Sequence, residues 1–212
     1  MKSIDKIVHI PDGQIKLIGS LKIPESATGV VLFAHGSGSS RNSPRNNYVA
    51  KVLRIHGLGT LLLDLLTVEE DMKYKMRFNI DLLANRILVT TKWLQQQEET
   101  KNLTIGYFGA STGAAAALQA AAILGDQVNA IVSRGGRPDL AWPHLQSVKS
   151  PTLFIVGGND NIVIELNQKA YRKIIGLKQL EIIPGATHLF EEPGTLERVA
   201  EMAANWFVEY LK

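Results

Sequence analysis

The sequence predicts an α/β protein, a mostly parallel twisted sheet with helices on both faces, and three observations predict it. Short apolar runs such as VVLFAH (30–35), LTIGYFG (103–109) and TLFIVGG (152–158) recur along the chain. Helix-patterned segments separate them, and near-continuous apolar runs suit parallel strands covered on both faces. The 212 residues hold no repeat, no low-complexity stretch and no flexible linker. That predicts a single domain over 1–212, long enough to bury a core without disulfides.

The elements follow in order. Residues 6–10 and 14–23 predict an antiparallel hairpin. A buried strand over 30–35 leads to a helix near 46–56 and a strand over 60–65. A longer helix covers about 78–97, then comes the strand 103–109 and the Ala-rich helix STGAAAALQAAAIL. Strands over 130–136 and 152–158, a helix near 163–175, a strand over 180–184 and a last helix near 194–211 complete the pattern. The right-handed crossover rule turns this order into an open twisted sheet. Residues 67–77 (TVEEDMKYKMR) mix charges, as a solvated face does or as a short cover over a pocket would. Trp206, Phe207 and Tyr210 are expected to pack on the sheet.

Composition removes several classes. There is no cysteine, which excludes a disulfide framework, cysteine-ligated zinc, iron–sulfur clusters and a cysteine nucleophile. The N-terminus lacks a signal-peptide pattern. The apolar runs fall short of the roughly 20 residues of a membrane span. The net charge of +3 comes without a basic run, so neither a nucleic-acid partner nor a membrane partner is expected. A cytoplasmic location is the expectation. The sequence carries no reading of oligomeric state.

In open α/β sheets, ligands collect where strands end. The residues just after each predicted strand are His35–Gly38, Asp64, Ser111, Arg134–Arg137, Asp160 and His188. Residues 109–113 read Gly-Ala-Ser-Thr-Gly between a strand and a helix, the context a G-x-S-x-G nucleophile elbow needs. Gly109 and Gly113 would relieve the crowding of so tight a turn. The plainer reading makes Ser111 a helix cap that accepts a backbone hydrogen bond.

A serine hydroxyl needs a base to take its proton. Of the five histidines, His188 alone follows the last strand. His9 lies in the N-terminal strand, His56 ends a helix, and His144 sits in a connection. Asp160, after the penultimate strand, is the expected orienting carboxylate, and the order Ser111, Asp160, His188 matches α/β-hydrolases. Asp139 is the rival, read as a turn aspartate, and Asp64 falls too early. Acyl transfer also needs two backbone donors for the oxyanion. These are Thr112, after the nucleophile, and Ser37 in the His35–Gly38 turn, with Gly36 as the other choice. His35 is expected to brace the turn.

HGSGSSRNSPRN (35–46), GASTG (109–113), SRGGRPDLA (133–141), VGGND (156–160) and GATHLFEEPG (185–194) together resemble the dienelactone-hydrolase-like branch of the α/β-hydrolases. The resemblance covers nearly the whole chain and implies the α/β-hydrolase fold without a large cap domain. It implies Ser111 as nucleophile, Asp160 as acid and His188 as base. Dienelactone hydrolases carry cysteine in the elbow, so the serine here points to a more general carboxylesterase or lactonase. Similar domains also occur fused to phosphoribosyltransferases.

The expected activity is hydrolysis of small or short-acyl esters or lactones through an acyl-enzyme, with no metal and no cofactor. An open, shallow pocket is expected because no cap fits in this length. An acyltransferase or thioesterase with the same triad is the alternative, and a non-catalytic binding module is another. Arg41, Arg134 and Arg137 are candidate substrate-binding residues, since guanidinium forks suit carboxylate or phosphate. The bland reading of these arginines, and of Arg45, is that nearby acids such as Asp139, Glu191 and Glu192 neutralise them. Glu191-Glu192-Pro193 reads as ordinary helix-start chemistry.

Overall fold

The computed structural model describes residues 2–212. The hairpin comes first, β1 (Ile4–Asp12) and β2 (Ile15–Ile23). Strand β3 (Gly29–Ala34), helix α1 (Pro44–Ile55) and strand β4 (Gly59–Leu63) follow. A one-turn helix α2 (Val68–Asp71) and a 3-10 turn over Tyr74–Phe78 lead into α3 (Ile80–Leu94). Then come β5 (Thr104–Ala110), α4 (Thr112–Leu124) and β6 (Ala130–Arg134). The chain closes with β7 (Thr152–Gly157), α5 (Asn161–Lys173), β8 (Lys178–Ile183) and α6 (Thr195–Tyr210).

The strands form one sheet in the order β1-β2-β4-β3-β5-β6-β7-β8. β1 pairs antiparallel with β2, and β2 with β4; every other pairing is parallel. After β3 the chain adds β4 on one side and β5 on the other. The strand order therefore reverses at β3, and a crevice opens at the carboxyl ends of β3 and β5. This is the α/β-hydrolase fold without a cap domain.

Alternation within β3 shows how the sheet is covered. Val30, Leu32 and Ala34 face a core shared with α3, α4 and α5. Val31 and Phe33 face the opposite core, built with α1 and α6. Trp206 and Phe207 of α6 are buried in that second layer, as expected, and Tyr210 packs at its edge. Tyr107 is fully buried, and its hydroxyl meets Thr91 Oγ1 at 2.5 Å. A lone phenol there would strand a polar group, and burial pushes its pKa up.

Every strand and long helix falls where the sequence places it, with small shifts at the ends. Two stretches go beyond that reading. Pro138–Ser147 winds as a 3-10 stretch, broken at Ala141 and interrupted by Pro143. Residues 67–78 are a built element: Thr67 and Glu70 form a reciprocal capping box on α2. Arg86 of α3 then ties Glu70 at 2.8 Å and also pairs with Asp12 of β1.

Candidate active site

The elbow is built by backbone shape. Ser111 has φ 51° and ψ −120°, a conformation costly for a residue with a Cβ. Its side chain caps nothing, which sets aside the helix-cap reading. A Cβ on Gly109 would lie 2.4 Å from Ala114 Cα, and one on Gly113 would lie 2.2 Å from the Ala34 carbonyl oxygen. Only glycine fits at either place. Helix α4 then runs down the sheet with Thr112 through Ala121 all buried.

Ser111 and His188 line the same cleft, of about 160 Å3, together with Gly36, Ser37, Arg45 and Arg134. His188 Nδ1 lies 2.6 Å from Asp160 Oδ2. A carboxylate only accepts, so in the neutral imidazole Nδ1 carries the hydrogen and Nε2 keeps its lone pair. Asp160 stands at the start of α5, yet its side chain caps nothing there and goes to His188. A larger hollow of about 390 Å3 lies between β8 and α6, near Leu153, Leu177 and Trp206. It sits at the amino ends of β7 and β8, away from the elbow.

The His35–Gly38 turn is braced from within. His35 is buried, donates from Nδ1 to the Gly36 carbonyl at 2.9 Å, and accepts the Leu65 N–H at Nε2 at 3.1 Å. Only the neutral ring does both, and burial holds its pKa below the usual value.

The arginines divide. Arg41 is held by Asp64, through its backbone N–H at 2.7 Å and its guanidinium at 2.5 Å. Arg137 forks onto Asp139 at 2.9 and 2.8 Å. Neither lines the cleft with Ser111, and each is paired with a nearby acid. Asp139, occupied by Arg137, is not the partner of His188. Arg134 alone of the three reaches the cleft. It is 7% exposed, and its guanidinium sits 5.7 Å from the centroid of the Phe190 ring. Burial, with Arg45 nearby, pushes its pKa down to about 10.

Three residues pack around His188 in ways the sequence does not assign, although Gly135 lies in a strand-end turn it singles out and Glu192 reads there as helix-start chemistry. Gly135, at φ +51°, would bring a Cβ to 3.4 Å from His188 Cε1. Phe190 is buried at φ 55°, anchoring the loop two residues past the histidine. Glu192 accepts the Thr187 N–H at 3.1 Å. The last helix begins at Thr195, behind Gly194, so the glutamate expected to start a helix braces the histidine loop instead. For the histidine loop the advance signal was the density of Gly and Pro around residues 184–194.

Residues 68–212 match the sequence profile of the Dienelactone hydrolase family. A dienelactone hydrolase from Anabaena variabilis ATCC 29413 is 54% identical, with a TM-score of 0.96 and full coverage of both chains. Est1E of Butyrivibrio proteoclasticus is not close in sequence, at 18% identity; its TM-score is 0.81, with 96% of this chain and 98% of that one covered, and it shows the fold alone. Two Mycobacterium tuberculosis proteins that carry the name "Putative phosphoribosyl transferase" are 56% identical over 207 residues. The match takes in 98% of this chain but 47% of theirs, so the chain spans about half the length of these relatives. With its elbow, its histidine–aspartate pair and a profile match over most of its length, the chain belongs to the dienelactone hydrolase family.

Proposed function

We propose that the protein is a serine hydrolase that cleaves small or short-acyl carboxylic esters or lactones through an acyl-enzyme intermediate. One observation carries the reading: Ser111, strained and capping nothing, shares a cleft with a histidine whose far nitrogen is held by Asp160. Ser111 attacks the carbonyl carbon while His188 Nε2 takes its proton. The backbone N–H groups of Thr112 and Ser37 receive the developing oxyanion. Asp160 orients the imidazole and stabilises its charged form. His188 then protonates the leaving oxygen and activates the water that frees the acid.

Serine in place of the cysteine of dienelactone hydrolases supports a broader ester or lactone range than the family name suggests. The transferase name of the Mycobacterium relatives does not redirect this reading, because more than half of their length lies outside the match. The test is hydrolysis of p-nitrophenyl esters, acetate to decanoate, by wild type and Ser111→Ala. Loss of activity in the variant, with short chains preferred, is expected. Equal rates in both proteins would remove Ser111 as nucleophile, and a preference for decanoate would remove the small-substrate reading.

A further inference from the structure

The cleft has a wall that acyl transfer does not use. Arg134 is buried there, its Nε has no hydrogen-bond partner, and among the described residues no carboxylate pairs with its fork. Arg45 also lines the cleft with a buried, unpartnered Nε. Its one acid, Glu191 at 2.9 Å, is 62% exposed and so neutralises it weakly. Asn46, 3% exposed, has an Oδ1 with no donor. Ser43 and Asn46 bring the start of the twelve-residue α1, the positive end of its dipole, to the same wall. Among the described residues, no acidic side chain lines the cleft.

Two cations and a helix start, unanswered by any acid inside the cleft, call for a dianion. A carboxylate brings one charge and only accepts hydrogen bonds. A phosphate monoester carries about −1.5 to −2 near neutrality and offers three acceptor oxygens. The guanidinium forks of Arg134 and Arg45 suit its oxygens. The cleft wall stands beside both Ser111 and His188. His188 must protonate the leaving oxygen, and His188 lies on this same cleft.

We propose that Arg134 and Arg45 bind the phosphoryl group of a phosphate monoester carried on the alcohol half of the substrate, so that the substrates are acyl esters of phosphorylated alcohols. The hydrolytic part rests on the reading of Ser111 as nucleophile; the binding part does not. Water adds to the acyl carbon and the carbon–oxygen bond to the alcohol breaks. The products are the carboxylic acid and the phospho-alcohol, with every P–O bond intact.

The experiment has two arms. Inorganic phosphate is titrated calorimetrically, at low salt, into Ser111→Ala and into the same protein with Arg134→Met or Arg45→Met. Wild type is then assayed on 1-butyryl-glycerol-3-phosphate, on monobutyrin and on 3-butyryloxypropanoate. Phosphate should bind Ser111→Ala at least tenfold more tightly than either double variant. The phosphorylated ester should exceed monobutyrin about 100-fold in kcat/KM, exceed the carboxylate ester, and lose that lead in Arg134→Met and Arg45→Met. Absence of phosphate binding, binding unmoved by both arginine variants, or equal use of the carboxylate ester overturns the proposal. Phosphate binding that needs the arginines, with no ester cleaved, keeps the phosphoryl site and overturns the esterase reading alone.

Discussion

Gly135 stands against the imidazole of His188: a Cβ built on it would lie 3.4 Å from Cε1 and 3.5 Å from Nδ1. The end of β6 therefore forms the back of the histidine's seat, in addition to the carboxylate supplied from behind β7. Gly135→Ala would rest its Cβ in contact with the ring. It meets one obstacle: the positive φ costs a residue with a Cβ about 1–2 kcal/mol, and relieving it shifts the seat. The variant is expected to melt several degrees lower and to lose roughly tenfold or more in kcat, with KM changed less. Unaltered kcat at a temperature where it is folded would show that the seat has slack.

Asp160→Asn separates orientation from folding. The Asp160 side chain makes no cap on α5, so the fold should keep its thermal midpoint. The amide favours the wrong imidazole tautomer, and kcat should fall by about 10^3 to 10^4. Steady-state kinetics beside a melting curve checks both halves.

His35 gives the protein an acid limit. Its folded pKa lies below the usual 6.5 because burial disfavours the charged ring. Below that pH the unfolded chain takes up a proton that the folded chain refuses. Stability is thus complete above about 6.5 and is lost as pH falls from there toward the folded value. His35→Gln should be less stable at neutral pH, with a flatter dependence of melting temperature between pH 7 and 5. Parallel slopes for both proteins would assign the acid sensitivity to other groups.

Arg86 joins three parts of the chain, with Asp12 at the end of β1 and Glu70 on α2. Its side chain is 8% exposed. Arg86→Met leaves two part-buried carboxylates without their cation and is expected to lower stability by about 2–3 kcal/mol. Urea unfolding measures the loss. A value below about 0.5 kcal/mol would mean the pairs are solvated in practice.

The sequence carried the fold because its signals are local. Apolar runs mark β3, β5 and β7, and Gly109 and Gly113 mark a turn that no larger residue can make. The placement of Ser111, Asp160 and His188 at the strand ends was legible for the same reason: each follows a strand whose end is visible in the pattern. The arginines were not separable this way. Arg134 and Arg137 are three residues apart and chemically alike, but one has Asp139 beside it and the other points into a space without acids. Arg41 finds Asp64, 23 residues away, through a pairing that only the folded sheet creates. Gly135, Phe190 and Glu192 shape the histidine loop through contacts between separate loops, and no periodicity announces those.

Helix α4, whose first ten residues are all buried, has a consequence for how the protein fails. Alanines from 114 to 117 leave no side chain long enough to swing aside, and the layer on either side is filled. The amides of this helix should therefore exchange with deuterium only when the whole molecule opens. On warming, the chemistry at its first turn should vanish together with the heat-absorption peak and not before it, so that inactivation and melting trace one curve.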